Sequence, residues 1–231
     1  MQNIRFRGPH LGILAVVFTA LFIIGLSFVI TFTPGAPHYR NPYDAAPRVT
    51  AYFREHPHDV LMCMFFQFLS AIPFGLFTVT AFNRLKFLGV KAVGPSIALL
   101  GGLLVSFTMM VSSMIGWTMV FPGIASDDGA LRALYYLGFA LGGVGYSVPM
   151  GLLIAGIAVP AGFMKLLPRW VVVFGIILGV IGESSCLALL FPNLTALIPL
   201  TRFPGFIWMM LAGFMLARRR PSPGGAIITA Q

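Results

Sequence analysis

The sequence predicts an all-α protein, a polytopic membrane bundle of six transmembrane helices that form one domain over residues 1–217. Two observations favour this class. Of the 231 residues, 58% are hydrophobic and only 9% are charged, far from the balance of soluble domains. A helix also needs about 20 largely apolar residues to cross the hydrocarbon core, and six segments have that length: residues 11–33, 60–82, 93–121, 131–160, 169–191 and 198–217.

The first helix is preceded by Arg5 and Arg7, as a secretory signal would be. Its apolar stretch exceeds the ~7–15 residues usual for such a signal, so we interpret it as a retained helix. In the loop that follows, Pro47 suits the first position of a helix and Pro57 suits its end. The run RVTAYFREH is therefore predicted to form a short interfacial helix. Residues 218–231, RRRPSPGGAIITAQ, are predicted to be a basic, flexible cytoplasmic tail.

Basic residues are distributed unequally between the two sets of helix-flanking segments. Because Lys and Arg beside helices remain cytoplasmic, both termini are predicted to lie in the cytoplasm, with the helices in the plasma (inner) membrane. The cytoplasmic set comprises ten residues: Arg5, Arg7, Arg84, Lys86, Lys91, Lys165, Arg169, Arg218, Arg219 and Arg220. The outer set comprises five bases and five acids: Arg40, Arg48, Arg54, Arg132, Arg202, Asp44, Glu55, Asp59, Asp127 and Asp128.

The net charge of +9 does not indicate nucleic-acid binding. The cytoplasmic bases are spread over four short segments, without an aromatic-interleaved basic patch. Attraction to anionic headgroups explains them, so the predicted partner is the lipid bilayer, with a homo-oligomer or a larger membrane complex left open. Two GxxxG pairs, Gly138–Gly142 and Gly175–Gly179, predict close helix contacts, either between neighbours or at a homodimer seam.

Glu183 is the only acid within a long apolar run, GIILGVIGESSCLALLF. A carboxylate at that depth is costly unless it is paired, protonated or hydrated, so it is a functional-site hypothesis. At 1.5 Å per residue, Glu183 lies roughly 21 Å above Arg169 on the fifth helix. Arg202 lies roughly 24 Å above Arg218 on the sixth helix. The similar heights predict an ion pair between Glu183 and Arg202.

Other polar residues are expected near this level. Gln67 lies roughly 12 Å below the outer end of the second helix, and Cys186 shares a face with Glu183 because the two are i and i+3. The sequence therefore predicts an outer-half polar pocket that binds or transports a small ligand or a proton. Its candidate residues are Glu183, Arg202, Gln67, Ser112, Ser113, Tyr135 and Cys186. The alternative for the serines and Gln67 is a set of interhelical hydrogen bonds, typically worth ~0.6 kcal/mol each, that only fix helix register.

A second cluster with ligand chemistry is EHPHDVLMCM, at the start of the second helix. His56, His58 and Asp59 have the chemistry to coordinate zinc or copper(II), whereas Met62 and Cys63 are soft ligands suited to copper(I). The same residue types are also ordinary at an outer helix start and inside a membrane helix. Cys63 and Cys186 are expected at similar depths as two free buried thiols, with a disulfide as the alternative.

The sequence contains no HExxH, P-loop, Gly-x-Ser-x-Gly or paired-aspartate motif, so we expect no enzymatic activity. No histidine lies in a predicted helix core, which argues against haem b ligated inside the membrane and leaves any cofactor unknown. Three classes of function remain. They are binding or transport at the outer pocket, a non-catalytic structural or accessory subunit of a larger membrane complex, and extracytoplasmic copper or zinc handling by the His/Met/Cys cluster.

The layout of the helices carries one family resemblance. A Pro-rich outer loop follows the first helix, and LLPRW at residues 166–170 opens the fifth helix ahead of Gly175 and Gly179. The sixth helix is short and ends in arginines. In these features the chain resembles a bacterial six-helix integral membrane family that carries only a domain-of-unknown-function label. The resemblance implies the membrane fold and transfers no activity and no site residue.

Overall fold

The computed structural model describes residues 6–30, 43 and 46–216, without the side chains of residues 46–49. Within these residues the protein is all-α, and no β-strand is present. The described α-helices, in chain order, are α1 Leu11–Ser27, α2 Ala46–Glu55, α3 Pro57–Phe87, α4 Gly94–Thr118, α5 Pro122–Ala125, α6 Asp128–Gly142, α7 Val144–Phe163, α8 Arg169–Ser184 and α9 Leu197–Met215. Short 3-10 helices, Ser185–Leu189 and Pro192–Ala196, connect α8 to α9. The predicted tail, residues 218–231, lies outside the described part.

Five helical stretches are long and apolar enough to cross a membrane: Pro57–Phe87, Gly94–Thr118, Asp128–Phe163, Arg169–Leu189 and Pro192–Met215. α1 is shorter, at 17 residues. It was predicted to extend to residue 33, but the α-helix ends at Ser27, where the Ser27 hydroxyl donates to the carbonyl oxygen of Ile24 at 2.7 Å. Residues 31–33 lie outside the described part. The architecture is an apolar helical bundle, as expected of an integral membrane protein.

Two predicted helices are interrupted. The segment 131–160 is divided at Gly143, whose φ of −92° and ψ of −91° depart from helical values, so α6 and α7 are separate helices. The segment 169–191 is α-helical only to Ser184 and continues as a 3-10 helix to Leu189. A 3-10 helix has 3.0 residues per turn and an α-helix 3.6, so the faces predicted from one continuous helix do not hold beyond either point.

The long helices contact one another in a closed circuit: α1, α3, α4, α7, α8, α9 and again α1. α7 has further contacts with α3, α6 and α9, which makes it the most surrounded helix of the described bundle. Between α1, α3 and α9 lies a fully buried aromatic group. The ring centroid of Phe18 is 4.9 Å from those of Phe74 and Phe206, both in edge-on geometry. This aromatic core therefore lies where α9 packs against α1 and completes the circuit of helices.

Both predicted GxxxG pairs make contacts inside the bundle. A Cβ added at Gly175 would lie 2.8 Å from the Cβ of Ala158, and Gly179 faces α7 in the same way. Gly138 and Gly142 face α4. A side chain at Gly142, Gly175 or Gly179 would hold the helices apart, since small residues are what allow close approach. The prediction of contact between neighbouring helices is confirmed.

The short helix predicted from RVTAYFREH is present as α2, and it covers the end of the bundle where α3 and α6 begin and α4 ends. Tyr52 and Phe53 of α2 are buried there, and the Phe53 ring lies 5.1 Å from that of Tyr135. Burial, with smaller contributions from Asp59 and Cys63, raises the pKa of Tyr52 to about 12. α2 is therefore anchored by its apolar face.

Apart from Glu183 and Arg202, the described charged side chains lie at the two ends of the bundle. At the α2 end, Arg54 forms an ion pair with Asp128 and donates from Nε to the carbonyl oxygen of Ala125 at 2.6 Å. At the opposite end, Arg84 of α3 reaches the segment before α1, with 3.5 Å between its Nη2 and the carbonyl oxygen of Pro9. The other described bases of that end are Arg7, Lys86, Lys91, Lys165 and Arg169.

Candidate functional site

The interruption at Gly143 is the local feature from which the site is built. α6 ends at Gly142, and α7 begins at Val144. A Cβ at Gly143 would lie 2.5 Å from the carbonyl oxygen of Phe139, so only glycine fits this turn. Because the last carbonyl groups of a helix lack intrahelical donors, the turn leaves the Gly142 carbonyl oxygen open to a side chain from another helix.

Arg202 of α9 supplies that donor. Its Nη2 donates a hydrogen bond to the carbonyl oxygen of Gly142. The guanidinium carbon lies 4.4 Å from the ring centroid of Tyr146 on α7 and 5.5 Å from that of Phe22 on α1. Arg202 therefore joins three elements at the helix interruption, and aromatic rings cover part of its charge by cation–π contact.

Arg202 faces a cavity of about 410 Å³ between α1, α3, α4, α6, α7 and α9. Four other residues that the sequence proposed for the outer pocket line the same cavity, namely Gln67, Ser112, Ser113 and Tyr135. Most of the remaining wall is apolar and aromatic. The structure thus brings together five of the seven proposed residues around one space.

Most polar groups of the wall are engaged with main-chain carbonyl oxygens. Ser112 Oγ donates to Gly138 at 2.8 Å, across to α6. Ser113 Oγ donates within its own helix to Met109 at 2.8 Å. Gln67 Nε2 lies 3.3 Å from the carbonyl oxygen of Phe22 on α1. Ser112 and Gln67 thus make interhelical hydrogen bonds, which was the alternative interpretation of these residues, while both also line the cavity.

The described wall of the cavity carries positive charge and no negative charge. Its described lining contains no aspartate or glutamate. Within the described residues, Arg202 Nε and the Tyr146 hydroxyl are enclosed and have no hydrogen-bond partner. The only described hydrogen bond of Arg202 is the one from Nη2 to Gly142, so Nη1 has no described partner. Among the described residues, the site therefore presents a cation with a free donor and no acid to balance it.

Glu183 is not part of this site, and the predicted ion pair with Arg202 is wrong. No ion pair joins the two residues, and Glu183 is exposed on the outside of the described bundle. Its carboxyl Oε1 lies beside Gly151 of α7, whereas Arg202 lies against Tyr146. Five residues along a helix correspond to roughly 140° of rotation and about 7.5 Å of rise. The two side chains therefore lie on different faces of α7, about 7.5 Å apart along its axis.

Cys186 is also outside the cavity. It follows the change from α-helix to 3-10 helix and is exposed, whereas Cys63 is buried in the cavity wall. Both thiols are free, so the expectation of two unbridged cysteines is confirmed, although only one of them is buried.

Sequence reasoning missed Tyr146 and Gly143, which position Arg202. The run LGGVGY around them contained a detectable signal, because adjacent glycines in a long apolar segment lower its helix propensity.

The five residues proposed as metal ligands do not converge on one point. Asp59 lies 3.6 Å from His56 Nδ1 and 3.8 Å from His58 Nδ1, and the His58 side chain is 77% exposed. Cys63 faces the cavity, whereas Met62 lines a separate groove on the outer surface of α3 and α4. In the described part of the chain, no three His, Cys, Asp or Glu side chains come together as a metal site.

Comparisons of the chain with protein-family models, with curated proteins and with solved structures found no match. The resemblance of its layout to a bacterial six-helix membrane family stays a sequence-based expectation.

Proposed function

We propose that the protein is a membrane-embedded binding protein or carrier for a small organic anion, held in the Arg202 cavity. One observation carries the proposal: a guanidinium faces a cavity whose described lining contains no acid. An unbalanced cation in a low-dielectric environment is costly. An anionic group at Arg202 would balance the charge through a charge-assisted hydrogen bond to the free Nη1.

The size and walls of the cavity support a ligand with one charged group and an apolar body. Its volume of about 410 Å³ lies in the range typical of small-molecule sites, roughly 300–1,000 Å³. Phe22, Met109 and Phe203 contribute apolar wall. A proton is not proposed as the ligand, because Glu183, the carboxylate expected to carry it, lies outside the cavity.

Arg202 also has a structural role, which must be distinguished from a role in ligand binding. It lies at the carboxyl end of α6, where a cation interacts favourably with the helix dipole, typically by 0.3–1 kcal/mol and by up to ~2 kcal/mol when partly buried. A purely structural Arg202 would stabilise the turn at Gly143 and would bind nothing. If Arg202 binds a ligand, an added anion should change the cavity. If Arg202 is purely structural, an added anion should leave the cavity unchanged.

Octanoate is a suitable probe, and Cys63 is a suitable reporter because it lines the cavity. In a Cys186→Ser background Cys63 is the only thiol, since the chain has two cysteines. We expect octanoate to slow the alkylation of Cys63 by a small thiol reagent in a saturable manner. Octanol, which has the same chain without the charge, should protect poorly. Equal protection by octanol and octanoate would overturn the proposal without any substitution at Arg202.

Substitution at Arg202 tests the same point. Loss of a buried charge partner typically costs 2–5 kcal/mol, so Arg202→Met should weaken octanoate binding by about 30-fold or more. Arg202→Lys should retain part of the affinity. The matched control is Arg132→Met, because Arg132 is exposed and also lies over a tyrosine ring, that of Tyr136 at 6.0 Å, but outside the cavity. Unchanged octanoate protection in a folded Arg202→Met variant would refute the proposal.

We propose in addition that α1 crosses the bilayer, which gives six crossings in the plasma membrane with both termini cytoplasmic. Its 17 residues rise about 25 Å, close to the hydrocarbon thickness. The described bases at one end of the bundle support this orientation. A membrane-impermeant thiol reagent, applied to intact cells, should label a cysteine placed at Arg132 and leave one placed at Arg7 unlabelled. Labelling of both from outside would contradict the topology.

A second candidate function is that of an accessory subunit, and Glu183 is the observation that favours it. Glu183 is exposed on the outside of the described bundle, where a carboxylate is costly in lipid. A neighbouring subunit could supply a hydrogen-bond donor there. If so, Glu183→Leu should change the number of copies per nanodisc, counted by single-molecule bleaching, relative to wild type. An unchanged count would remove the support for a contact between copies.

A further inference from the structure

A second hollow lies beside the cavity, on the outer surface of α3 and α4. This groove has a volume of about 450 Å³, and its walls are apolar: Leu61, Met62, Phe65, Phe68, Met114 and Trp117. Five of these six side chains are among the exposed large hydrophobic residues of the described bundle. A groove on this surface of a membrane-spanning pair faces lipid, at the level of the outer halves of both helices.

Two residues belong to both hollows. Met64 of α3 and Ser113 of α4 line the cavity on one side and the groove on the other. A Cβ at Gly116 would overlap the sulfur of Met64, so the glycine allows the methionine side chain to lie against α4. The thin wall between cavity and groove is therefore formed largely by an unbranched side chain with three rotatable bonds, which adapts its shape easily.

We propose that the anion bound at Arg202 is a single-chain amphiphile, which reaches the cavity from the outer leaflet by passing between α3 and α4 as Met64 swings aside. Its charged group pairs with Arg202, and its alkyl chain lies in the groove beside Trp117. The inference rests on the proposed function, because it assumes that the Arg202 cavity binds an anion.

Charge and continuity support this occupant. The described wall of the cavity offers a guanidinium to a charged headgroup, whereas the groove offers almost only carbon and sulfur to a chain. The two surfaces meet at Met64 and Ser113, so one molecule with a charged end and an apolar end matches both. A small polar anion would leave the groove unused.

The position of the chain is tested with 11-bromoundecanoate, whose bromine quenches tryptophan fluorescence on contact. The chain has three tryptophans, so the contribution of Trp117 is the difference between wild type and Trp117→Phe. We expect saturable quenching of Trp117 that is lost in Arg202→Met. Acetate, which has no chain, should compete for Arg202 without quenching. Trp117 quenching that stays linear in probe concentration, as from free partitioning, would overturn the inference.

The role of Met64 is tested by association rates. Met64→Phe should slow octanoate association by about tenfold, equivalent to ~1.4 kcal/mol in the barrier, with a smaller change in affinity. Met64→Ala should accelerate association. The control is Leu76→Phe, on the same helix, exposed and lining neither the cavity nor the groove; it should leave the rate nearly unchanged. Equal rates in wild type, Met64→Ala and Met64→Phe would exclude this path.

The two proposals fail in different ways. If octanoate protection of Cys63 is independent of Arg202, the binding function itself is wrong. If protection depends on Arg202 but Trp117 is not quenched and Met64 does not affect the rate, the anion binds and the lateral path is wrong.

Discussion

The guanidinium carbon of Arg202 lies 4.4 Å from the ring centroid of Tyr146, and the ring is fully buried. Arg202 belongs to α9 and Tyr146 to the first turn of α7, directly after the interruption at Gly143. The contact therefore places the cation beside the carbonyl group of Gly142, which accepts a hydrogen bond from Arg202.

The aromatic ring of Tyr146 should matter more than its hydroxyl. A desolvated cation–π contact is worth ~2 kcal/mol or more, whereas the Tyr146 hydroxyl is enclosed and has no hydrogen-bond partner among the described residues. Tyr146→Phe should leave the thermal unfolding midpoint unchanged or slightly higher. Tyr146→Leu should lower the free energy of unfolding by at least about 2 kcal/mol. Equal behaviour of the two variants, measured in one detergent, would contradict the cation–π assignment.

The turn at Gly143 should not tolerate a side chain. A Cβ there would lie 2.5 Å from the carbonyl oxygen of Phe139, which as backbone cannot move aside freely. Gly143→Ala should therefore destabilise the protein by about 1–3 kcal/mol and weaken octanoate binding, since it displaces the acceptor of Arg202. The control is Gly123→Ala, where an added Cβ meets nothing within 4 Å. A Gly143→Ala variant as stable as Gly123→Ala would show that the turn relaxes easily.

Neutralising Glu183 should have little effect on the isolated protein. Glu183 is exposed and makes no ion pair with a described residue. Glu183→Gln should change the free energy of unfolding by less than about 0.5 kcal/mol and leave octanoate protection of Cys63 unchanged. The ion pair predicted from the sequence would require a loss of about 3–5 kcal/mol on removal of one partner. A loss of that size, measured by unfolding in detergent, would support the predicted ion pair and contradict an exposed Glu183 without a described ion-pair partner.

α2 should lose stability at high pH through Tyr52. Its pKa is raised from 10.0 to about 12, chiefly by burial. The neutral phenol thus stabilises the folded state fully below pH 10. Between about pH 10 and 12 the unfolded chain has lost this proton and the folded chain still holds it, so the free energy of unfolding falls, by about 2 to 3 kcal/mol at most.

The measurement for Tyr52 is a phenolate absorbance titration of wild type and Tyr52→Phe. The difference between the two curves isolates one of six tyrosines and should have its midpoint near pH 12. A difference midpoint near pH 10 would show that α2 leaves Tyr52 in contact with water.

Much of the fold followed from local sequence. The five long apolar stretches, the short helix α2 and the glycine contacts between neighbouring helices were all predicted, because length, hydropathy and small-residue spacing are local properties. The interruption at Gly143 was not predicted, since Gly–Gly in an apolar segment is tolerated in some membrane helices and breaks others. Which outcome holds depends on contacts such as that between Arg202 and Gly142.

Most residues of the candidate site were predicted from the sequence, but which of them lies at its centre was not. Gln67, Ser112, Ser113 and Arg202 line one cavity, as their common depth indicated. Glu183, from which the prediction began, was expected at a comparable depth but lies outside the cavity.

The sequence by itself determined the class of the protein, its helical segments and the height of each polar residue along them, because rise per residue is nearly constant and accumulates along the chain. Only the tertiary structure decided which way those residues face. Rotation about a helix axis changes at each interruption, here at Gly143 and Ser185, and the facing partner belongs to another part of the chain. For that reason a lone arginine with a tyrosine ring against it, and not the carboxylate in the apolar run, defines the site.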